Sequence, residues 1–595
     1  MMITEVVSVC EQYDVFDEWC ASFNAAIAEK DYDSVASLFV EEGYWRDMLT
    51  FDERIQTAQG HAAIRDMLAG HGGDEITLKI AAEGDVQVET IPGVGGVSGR
   101  FIRYETDTIT GRGYLRLMSG QRRALTLLTS VQEIKGFPEQ SLVNRDCDTH
   151  RSGPGATANW LDRRRYEQAY ADRNPQVLVI GAGHSGLTVA ARLRHLNVDT
   201  LVIDRSERVG DNWRSRYHSL TLHNEISCNH LPYLPFPASW PLFLPKDKLA
   251  GWLEFYAEAM ELNVWNRTTF LDGSYDESSG HWDVRLKMPD GSIRSMRPLH
   301  VVMAIGVSGI PSIPEFAGQD RFQGELIHSS RFNSAVDVSG KSVVVVGAGT
   351  SAHDIAQDVY LRGGKPTLVQ RSSVTVVSVE QAALAYAAFR RDEGIRPIED
   401  TDLMVAAIPF DLLRRAHGPL SKVMANGDEE LLRRLAEVGF LLDNGEDDTG
   451  FFMKLVRYLG GYYLDVGASG LIVEGKIKLK AGVGVKQLGQ REVELSDGTV
   501  IDADLIVLGT GYRPLQDAVA AMFGPEVAQR VGPIWGLGPD NEMQGMWTRT
   551  GQPGFFVSGG TFTMSRFYSK LTALLIKSDI EKIGKRHRAK ELSDV

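Results

Sequence analysis

The sequence predicts an α/β protein made of two parallel-sheet units, preceded by a small α+β domain. The units rest on a repeated pattern: "QVLVI" leads into "GAGHSG" at Gly181, and "KSVVVV" leads into "GAGTSA" at Gly347. A branched apolar run thus enters a glycine turn twice. From Pro175 onward strand and helix signals alternate, the order that gives a parallel sheet with helices on both faces. The front of the chain differs, placing helical spacings before several alternating runs.

At 595 residues the chain has room for two to four domains. Its formal charge of -15 argues against nucleic acid or an anionic membrane as partner. No run reaches the ~20 apolar residues of a membrane span. The opening "MMITEVVSVCEQYDVFDEW" lacks a basic segment followed by an apolar core, so no export signal is expected and the expected location is cytoplasmic. Cys10, Cys20, Cys147 and Cys228 are scattered without C-x-x-C spacing, so neither a disulfide framework nor a metal site is expected.

Residues 1–145 are expected to form the α+β domain. "FDEWCASFNAAIAEKDYDSVASLF" and "TAQGHAAIRDMLAG" carry helical spacing; "EGDVQVETI", "GVSGRFIRYETDT" and "RRALTLLTSVQEI" alternate as strands. Residues 146–171 read as a linker, "RSGPGATAN", and a charged helix, "WLDRRRYEQAYADRN". The first unit is expected over 172–334 and again over 513–595, with the second inserted at 335–512. Within it, 380–465 breaks the alternation with amphipathic helices such as "TDLMVAAIPFDLLRRA", expected to pack against the sheet domains, with a substrate-channel lid as the alternative.

In "VLVIGAGHSGLTVAARLRHL" Gly181 permits the tight turn, Gly183 lets the backbone approach a pyrophosphate, and Gly186 lets the helix lie against the strand. The next strand, "DTLVID", ends at Asp204, whose carboxylate suits ribose hydroxyls. This is a Rossmann-type unit for FAD or NAD. In "KSVVVVGAGTSAHDIAQDVY" Gly347 and Gly349 repeat the turn, with Ala352 in the third small position. The following strand ends at Gln370, succeeded by Arg371, Ser372 and Ser373; a guanidinium with two hydroxyls suits the ribose 2′-phosphate of NADPH. A chain with both units can pass hydride from NADPH to a flavin. Flavoprotein disulfide reductases need a cysteine pair that this sequence lacks, which leaves O₂ as the natural acceptor.

Between the turns, "FQGELIHSSRF" places Phe322, Gly324, His328 and Phe332 in the Phe-x-Gly-x-x-x-His-x-x-x-Phe/Tyr pattern. This resembles the fingerprint of flavin-containing monooxygenases. Baeyer–Villiger enzymes usually carry Trp followed by Pro or Asp at the last place, where this chain has Phe332–Asn333. "GDNWRSRYHSLTLHNEISCNHLPYLPFP" is similar to the segment after the FAD-binding acid, especially in the YUCCA type, and the resemblance covers roughly residues 172–595. It implies that NADPH reduces FAD, that reduced FAD takes up O₂ as a C4a-(hydro)peroxyflavin, and that bound NADP⁺ shields this species until a small-molecule substrate is oxygenated. The outcome is N- or S-oxygenation, or oxidative decarboxylation of a 2-oxo acid such as indole-3-pyruvate. A Baeyer–Villiger oxygenase or flavin halogenase on the same framework is the alternative, and a non-catalytic dinucleotide-binding module a third reading.

The resemblance also implies site residues. Counting from Ser219, the family's polar residue near the flavin falls on His223, with Asn224 one step later; either is the candidate catalytic group. The expected FAD contacts are Gly181, Gly183, Ser185, Gly186, Asp204, Arg205, Gly210 and Trp213, with Gly559 and Gly560 beneath the flavin. The expected NADPH contacts are Gly347, Gly349, Thr350, Ser351, Arg371, Ser372 and Ser373, and Gly511 with Tyr512 lies on a later strand-to-glycine connection. Asp211 stands where many relatives have a second glycine, and His328 is expected as an interdomain linker contact. The amino-terminal pattern resembles the cone-shaped domain of the nuclear-transport-factor and polyketide-cyclase superfamily. In it, Trp45, Arg46 and Asp47 form a cluster placed to line a cavity, expected as a docking surface or vestigial pocket rather than a ligand site.

Overall fold

The structure, a computed structural model, describes residues 9–71, 77–145 and 159–583. The expected linker Arg151–Asn159 therefore lies, Asn159 apart, outside the described residues. The amino-terminal domain carries helices α1 (Val9–Ala28), α2 (Tyr32–Ser37) and α3 (Gly60–Ala69). Its six strands are β1 (Phe39–Met48), β2 (Ile55–Gln59), β3 (Lys79–Ile91), β4 (Gly95–Glu105), β5 (Ile109–Met118) and β6 (Ala124–Ile134). The sheet order is β2-β1-β6-β5-β4-β3, antiparallel except where β1 meets β6. One sheet face closes over Trp19, Phe23, Trp45, Ile64 and Leu127.

After helix α4 (Trp160–Ala169), the first glycine unit is a five-stranded parallel sheet. Its strands are β7 (Val177–Ile180), β8 (Thr200–Ile203), β10 (Asn263–Trp265), β11 (His300–Met303) and β17 (Phe555–Val557), in the order β10-β8-β7-β11-β17. Strands β7, β8, β11 and β17 are buried along their whole length, which explains runs without polar alternation. Strand β17 comes from the carboxy-terminal stretch, so the chain returns to this sheet after completing the second. Helix α5 (His184–His195) packs on it, and helix α9 (Phe562–Ile580) packs on α5.

The second unit is also parallel, ordered β12-β16-β13-β14-β15. These are Glu325–His328, Leu505–Leu508, Ser342–Val346, Lys365–Gln370 and Lys478–Ala481, with helix α6 (Thr350–Leu361) after the glycine turn. Glu325–His328 corrects the expected boundary at 334/335. This stretch is an edge strand of the second sheet, pairing with Leu505–Leu508, so the crossover precedes the fingerprint histidine.

The helical stretch packs at its front against the amino-terminal sheet and α9, and through Leu435 and Phe440 into the second unit. "TDLMVAAIPFDLLRRA", expected as one helix, is two: α7 (Ile398–Ala406) and α8 (Phe410–Gly427). Pro409 caps the second, because a proline has no N–H to continue the first. Among the described residues no helix is long and apolar enough to cross a membrane.

Candidate functional site

Each glycine turn is shaped by what a side chain would meet. Gly181 has φ +111°, and a Cβ there would lie 2.5 Å from the Ala304 carbonyl oxygen; a Cβ on Gly186 would lie 1.9 Å from the Gly181 oxygen. The second loop solves the same problem differently. Gly347 (φ +121°) crowds the Gly509 oxygen at 2.3 Å, but the third small residue is Ala352, and the matching space comes from Gly509 on the facing strand. Gly183 and Gly349, by contrast, open outward, since a Cβ on either finds nothing nearer than 3.6 and 3.9 Å. Both loops thus leave a backbone cradle at a helix start, the shape a pyrophosphate requires.

Asp204 ends β8 as expected. Its Oδ2 accepts the Ala182 N–H and its Oδ1 the Ser206 N–H, both at 2.8 Å, so the carboxylate holds the loop it serves while each oxygen keeps a lone pair. Arg205 is exposed beside it. Gly210 (φ +90°) turns the chain into the Asp211–Arg214 helix. Asp211 accepts the Arg208 N–H at 2.9 Å and pairs with Arg214 at 2.8 Å, which accounts for an acid in place of the second glycine. The Trp213 ring stands 6.1 Å from Phe562, and its buried indole N–H has no hydrogen-bond partner among the described residues. An unsatisfied donor at this place fits a bound polar group. Gly560 (φ +99°) gives its carbonyl to His184 at 3.0 Å, and that ring stacks on Phe562 at 4.1 Å. Burial pulls the His184 pKa down to about 4, so the imidazole is neutral.

Several expected contacts have other partners. The Ser185 hydroxyl meets Ser565 on α9 at 2.7 Å, joining two helices rather than facing a cofactor. Thr350 donates to the Tyr462 carbonyl at 3.1 Å, and the Ser373 side chain is drawn to Asp443. Arg371 and Ser372 remain exposed at the end of β14, and Arg371 has no ion pair among the described residues. Ser351 is half-buried at the start of α6. His328 reaches the Gly511 carbonyl at 3.0 Å and lies edge-on to Tyr512 at 5.2 Å, tying β12 to the connection after β16. Trp45 and Asp47 face the domain core, whereas Arg46 points the other way, to Glu542.

His223 and Asn224 lie on β9 (Thr221–Glu225), where neighbours point to opposite faces. His223 Nε2 is 3.3 Å from Asp354 Oδ2 on α6, and the Asn224 side chain meets the Tyr386 hydroxyl of the helical insertion. Sequence reasoning missed Asp354 and Asp358; their i,i+4 spacing after a glycine turn was the available signal.

It also missed Arg566. This buried guanidinium grips Asp402 of α7 at 2.7 and 2.6 Å and donates to the carbonyls of Cys228 and His230 at 3.0 and 2.8 Å. It thereby fixes the chain just after β9. Beyond that chain, a cavity of about 360 Å³ lies between Ser227–Pro235 and Phe389–Thr401, so the insertion supplies one wall. Burial and Arg566 hold His230, on the facing wall, neutral with a pKa of about 4. Among the described residues no cluster of His, Cys, Asp and Glu is arranged to hold a metal ion.

Comparison with known proteins gives the same region a family context. Residues 174–383 match the model of the flavin-binding monooxygenase-like family. The chain is 32% identical over 340 residues to indole-3-pyruvate monooxygenase YUCCA1 of Oryza sativa subsp. japonica, covering 57% of this chain and 77% of that one. It is 30% identical over 342 residues to the probable indole-3-pyruvate monooxygenase YUCCA3 of Arabidopsis thaliana, covering 56% and 72%. In fold it is similar to OTEMO in complex with FAD and NADP, with a TM-score of 0.51 at 16% identity, over 69% of this chain and 86% of that one.

Proposed function

Because the chain belongs to the flavin-binding monooxygenase-like family, we propose that it holds FAD on its first unit and NADPH on its second to oxygenate a small organic substrate with O₂. It is an oxidoreductase, a flavin-dependent monooxygenase. The observation that carries the division of cofactors is the contrast between strand ends. The first loop is followed by a carboxylate, Asp204, and the second by an exposed guanidinium, Arg371, without an ion pair among the described residues. A carboxylate selects ribose hydroxyls, whereas a guanidinium selects a phosphate.

The flavin, when bound, supplies hydride acceptance and oxygen activation. The protein supplies the remainder. Gly183 and Gly349 bring main chain to the two pyrophosphates, and Trp213 offers its free N–H. Gly559 and Gly560 lead into α9, whose N-terminal N–H groups and dipole favour negative charge at the ring. His223 and Asn224 are the candidate polar groups at the flavin edge, one facing the nicotinamide unit and the other the insertion. The cavity bounded by Ser227 and Phe389 is the proposed substrate approach. The amino-terminal domain is read as a nuclear-transport-factor-like fold used for docking.

The YUCCA-type relatives make a 2-oxo acid such as indole-3-pyruvate the first substrate to test, beside amines, sulfides and ketones. The purified protein should be yellow and release one FAD per chain on denaturation. Product masses should show either the gain of one oxygen or the loss of carbon dioxide. A colourless protein that takes up no added FAD would refute the proposal.

A further inference from the structure

One buried cluster joins the two dinucleotide units. Asp354, on α6 of the second unit, is 3% exposed. Its Oδ2 receives the Tyr217 hydroxyl and lies 3.3 Å from His223 Nε2, both from the first unit. One turn further along α6, Asp358 accepts the Ser219 N–H at 3.2 Å. The stretch Tyr217–His223 is therefore pinned along two turns of the helix whose start forms the second cradle. The other Asp354 oxygen is enclosed and has no hydrogen-bond partner among the described residues. Burying a carboxylate with one oxygen unsatisfied is costly, and simple domain packing does not require it. What the arrangement does achieve is orientation. At 3.3 Å the Asp354 carboxylate favours the tautomer with the proton on Nε2 and leaves Nδ1 turned elsewhere. The same device orients imidazoles in catalytic triads and metal sites.

We propose that Asp354 is a positioning residue for His223, so that the nicotinamide unit sets the orientation of an imidazole belonging to the flavin unit. The inference rests on reading His223 as a group at the flavin edge. Tyr217 shares the carboxylate and limits its movement.

The test uses the FAD-loaded enzyme with NADPH and O₂ alone. In that mixture one NADPH, one proton and one O₂ give NADP⁺ and H₂O₂, and a well-held site makes this turnover slow. Asp354→Asn is expected to raise the rate of peroxide formation about 10- to 100-fold, the range for a lost charge-assisted contact. FAD per chain, and the NADP⁺ dissociation constant read from the flavin absorbance band, should move by less than about threefold, since neither cradle is touched. His223→Ala should give the same rise, the double variant should be no worse than His223→Ala alone, and Tyr217→Phe should fall between wild type and Asp354→Asn. A wild-type rate in Asp354→Asn beside a raised rate in His223→Ala overturns the proposal, as do independent, multiplying effects in the double variant. If His223→Ala itself forms peroxide no faster, the proposal falls together with the flavin-edge role of His223, while FAD content still reports separately on the enzyme reading. Should Asp354→Asn not accumulate as folded protein, Tyr217→Phe carries the comparison, and an unchanged rate there overturns the proposal.

Discussion

Arg371 stands exposed at the end of β14 with no acidic partner among the described residues, while its neighbour Ser373 is turned to Asp443. Replacing Arg371 with Ala should raise the KM for NADPH about 10- to 100-fold, the range of a lost charge-assisted contact, and leave that for NADH nearly unchanged. Equal effects on both coenzymes would remove the 2′-phosphate assignment. The place of Arg371 directly after a strand was legible because a strand follows the helix that a glycine turn opens. Asp47 was not, because its character comes from enclosure. Thr129 donates to it at 2.7 Å and the Thr50 and Phe51 N–H groups at 3.2 Å, yet burial raises its pKa from 3.8 to about 6. The folded state therefore binds this proton more tightly than the unfolded one. Stability on this account is intact below pH 3.8, falls as pH rises towards 6, and is lower by about 3 kcal/mol above that. Asn holds the same shape without the charge. The stability of Asp47→Asn relative to wild type, from urea unfolding at pH 4 to 8, should grow up to about pH 6 and then level off. A difference independent of pH would show that the group titrates at its ordinary value.

At the scale of elements, the two glycine turns reach one geometry by two distributions of small residues. The first has Gly186 on the helix and Ala304 on the facing strand; the second has Ala352 on the helix and Gly509 on the strand. A Cβ on Gly509 would stand 2.9 Å from that of Ala352 and 3.2 Å from the Val346 carbonyl oxygen. Gly509→Ala should therefore destabilise by about 1–3 kcal/mol, as overpacking does. Ala352→Gly should itself lose about 1 kcal/mol as a helix glycine. Combined, the changes should be less harmful than their sum, because the first clash disappears; thermal melting of the three variants measures it. Strict additivity would mean that helix and strand do not share this space. Both turns, and the alternation around them, were readable because strand burial on two faces writes itself as continuous apolar runs. The break at Pro409 was also available in the sequence. The pairing of Glu325–His328 with Leu505–Leu508 was not, since a four-residue edge strand carries no period long enough to name its partner.

Across the whole molecule, the amino-terminal domain is bolted down by the sheet face that its sequence marks as exposed. Arg46, Arg112 and Arg116 alternate with apolar residues on β1 and β5, a pattern that ordinarily means solvent. Instead Arg116 donates to the Met404 carbonyl at 2.8 Å and Arg112 pairs with Asp400 at 2.6 Å, both on α7. Arg46 is more deeply committed. It meets both oxygens of Glu542 at 2.7 and 2.6 Å, the Ala406 carbonyl at 2.8 Å and the Tyr568 hydroxyl at 3.2 Å. Tyr568 stacks on Trp547 at 4.2 Å, and the Trp547 N–H donates to the Gly559 carbonyl at 3.1 Å. A short path therefore runs from the docked domain to the strand end proposed to lie beneath the flavin. Arg46→Ala leaves the Glu542 carboxylate buried with Thr57 as its remaining side-chain donor, and breaking such a pair typically costs about 3–5 kcal/mol. The variant should unfold at lower urea concentration and, through Tyr568 and Trp547, retain less FAD after gel filtration. Arg46→Met combined with Glu542→Gln removes both charges at similar volume, so it should recover most of the stability and the FAD. If the double variant regains stability but not FAD, the guanidinium itself maintains the Tyr568–Trp547–Gly559 path. If Arg46→Ala loses neither, the domain is held by its apolar contacts alone, and the polar face is incidental to both folding and the flavin site.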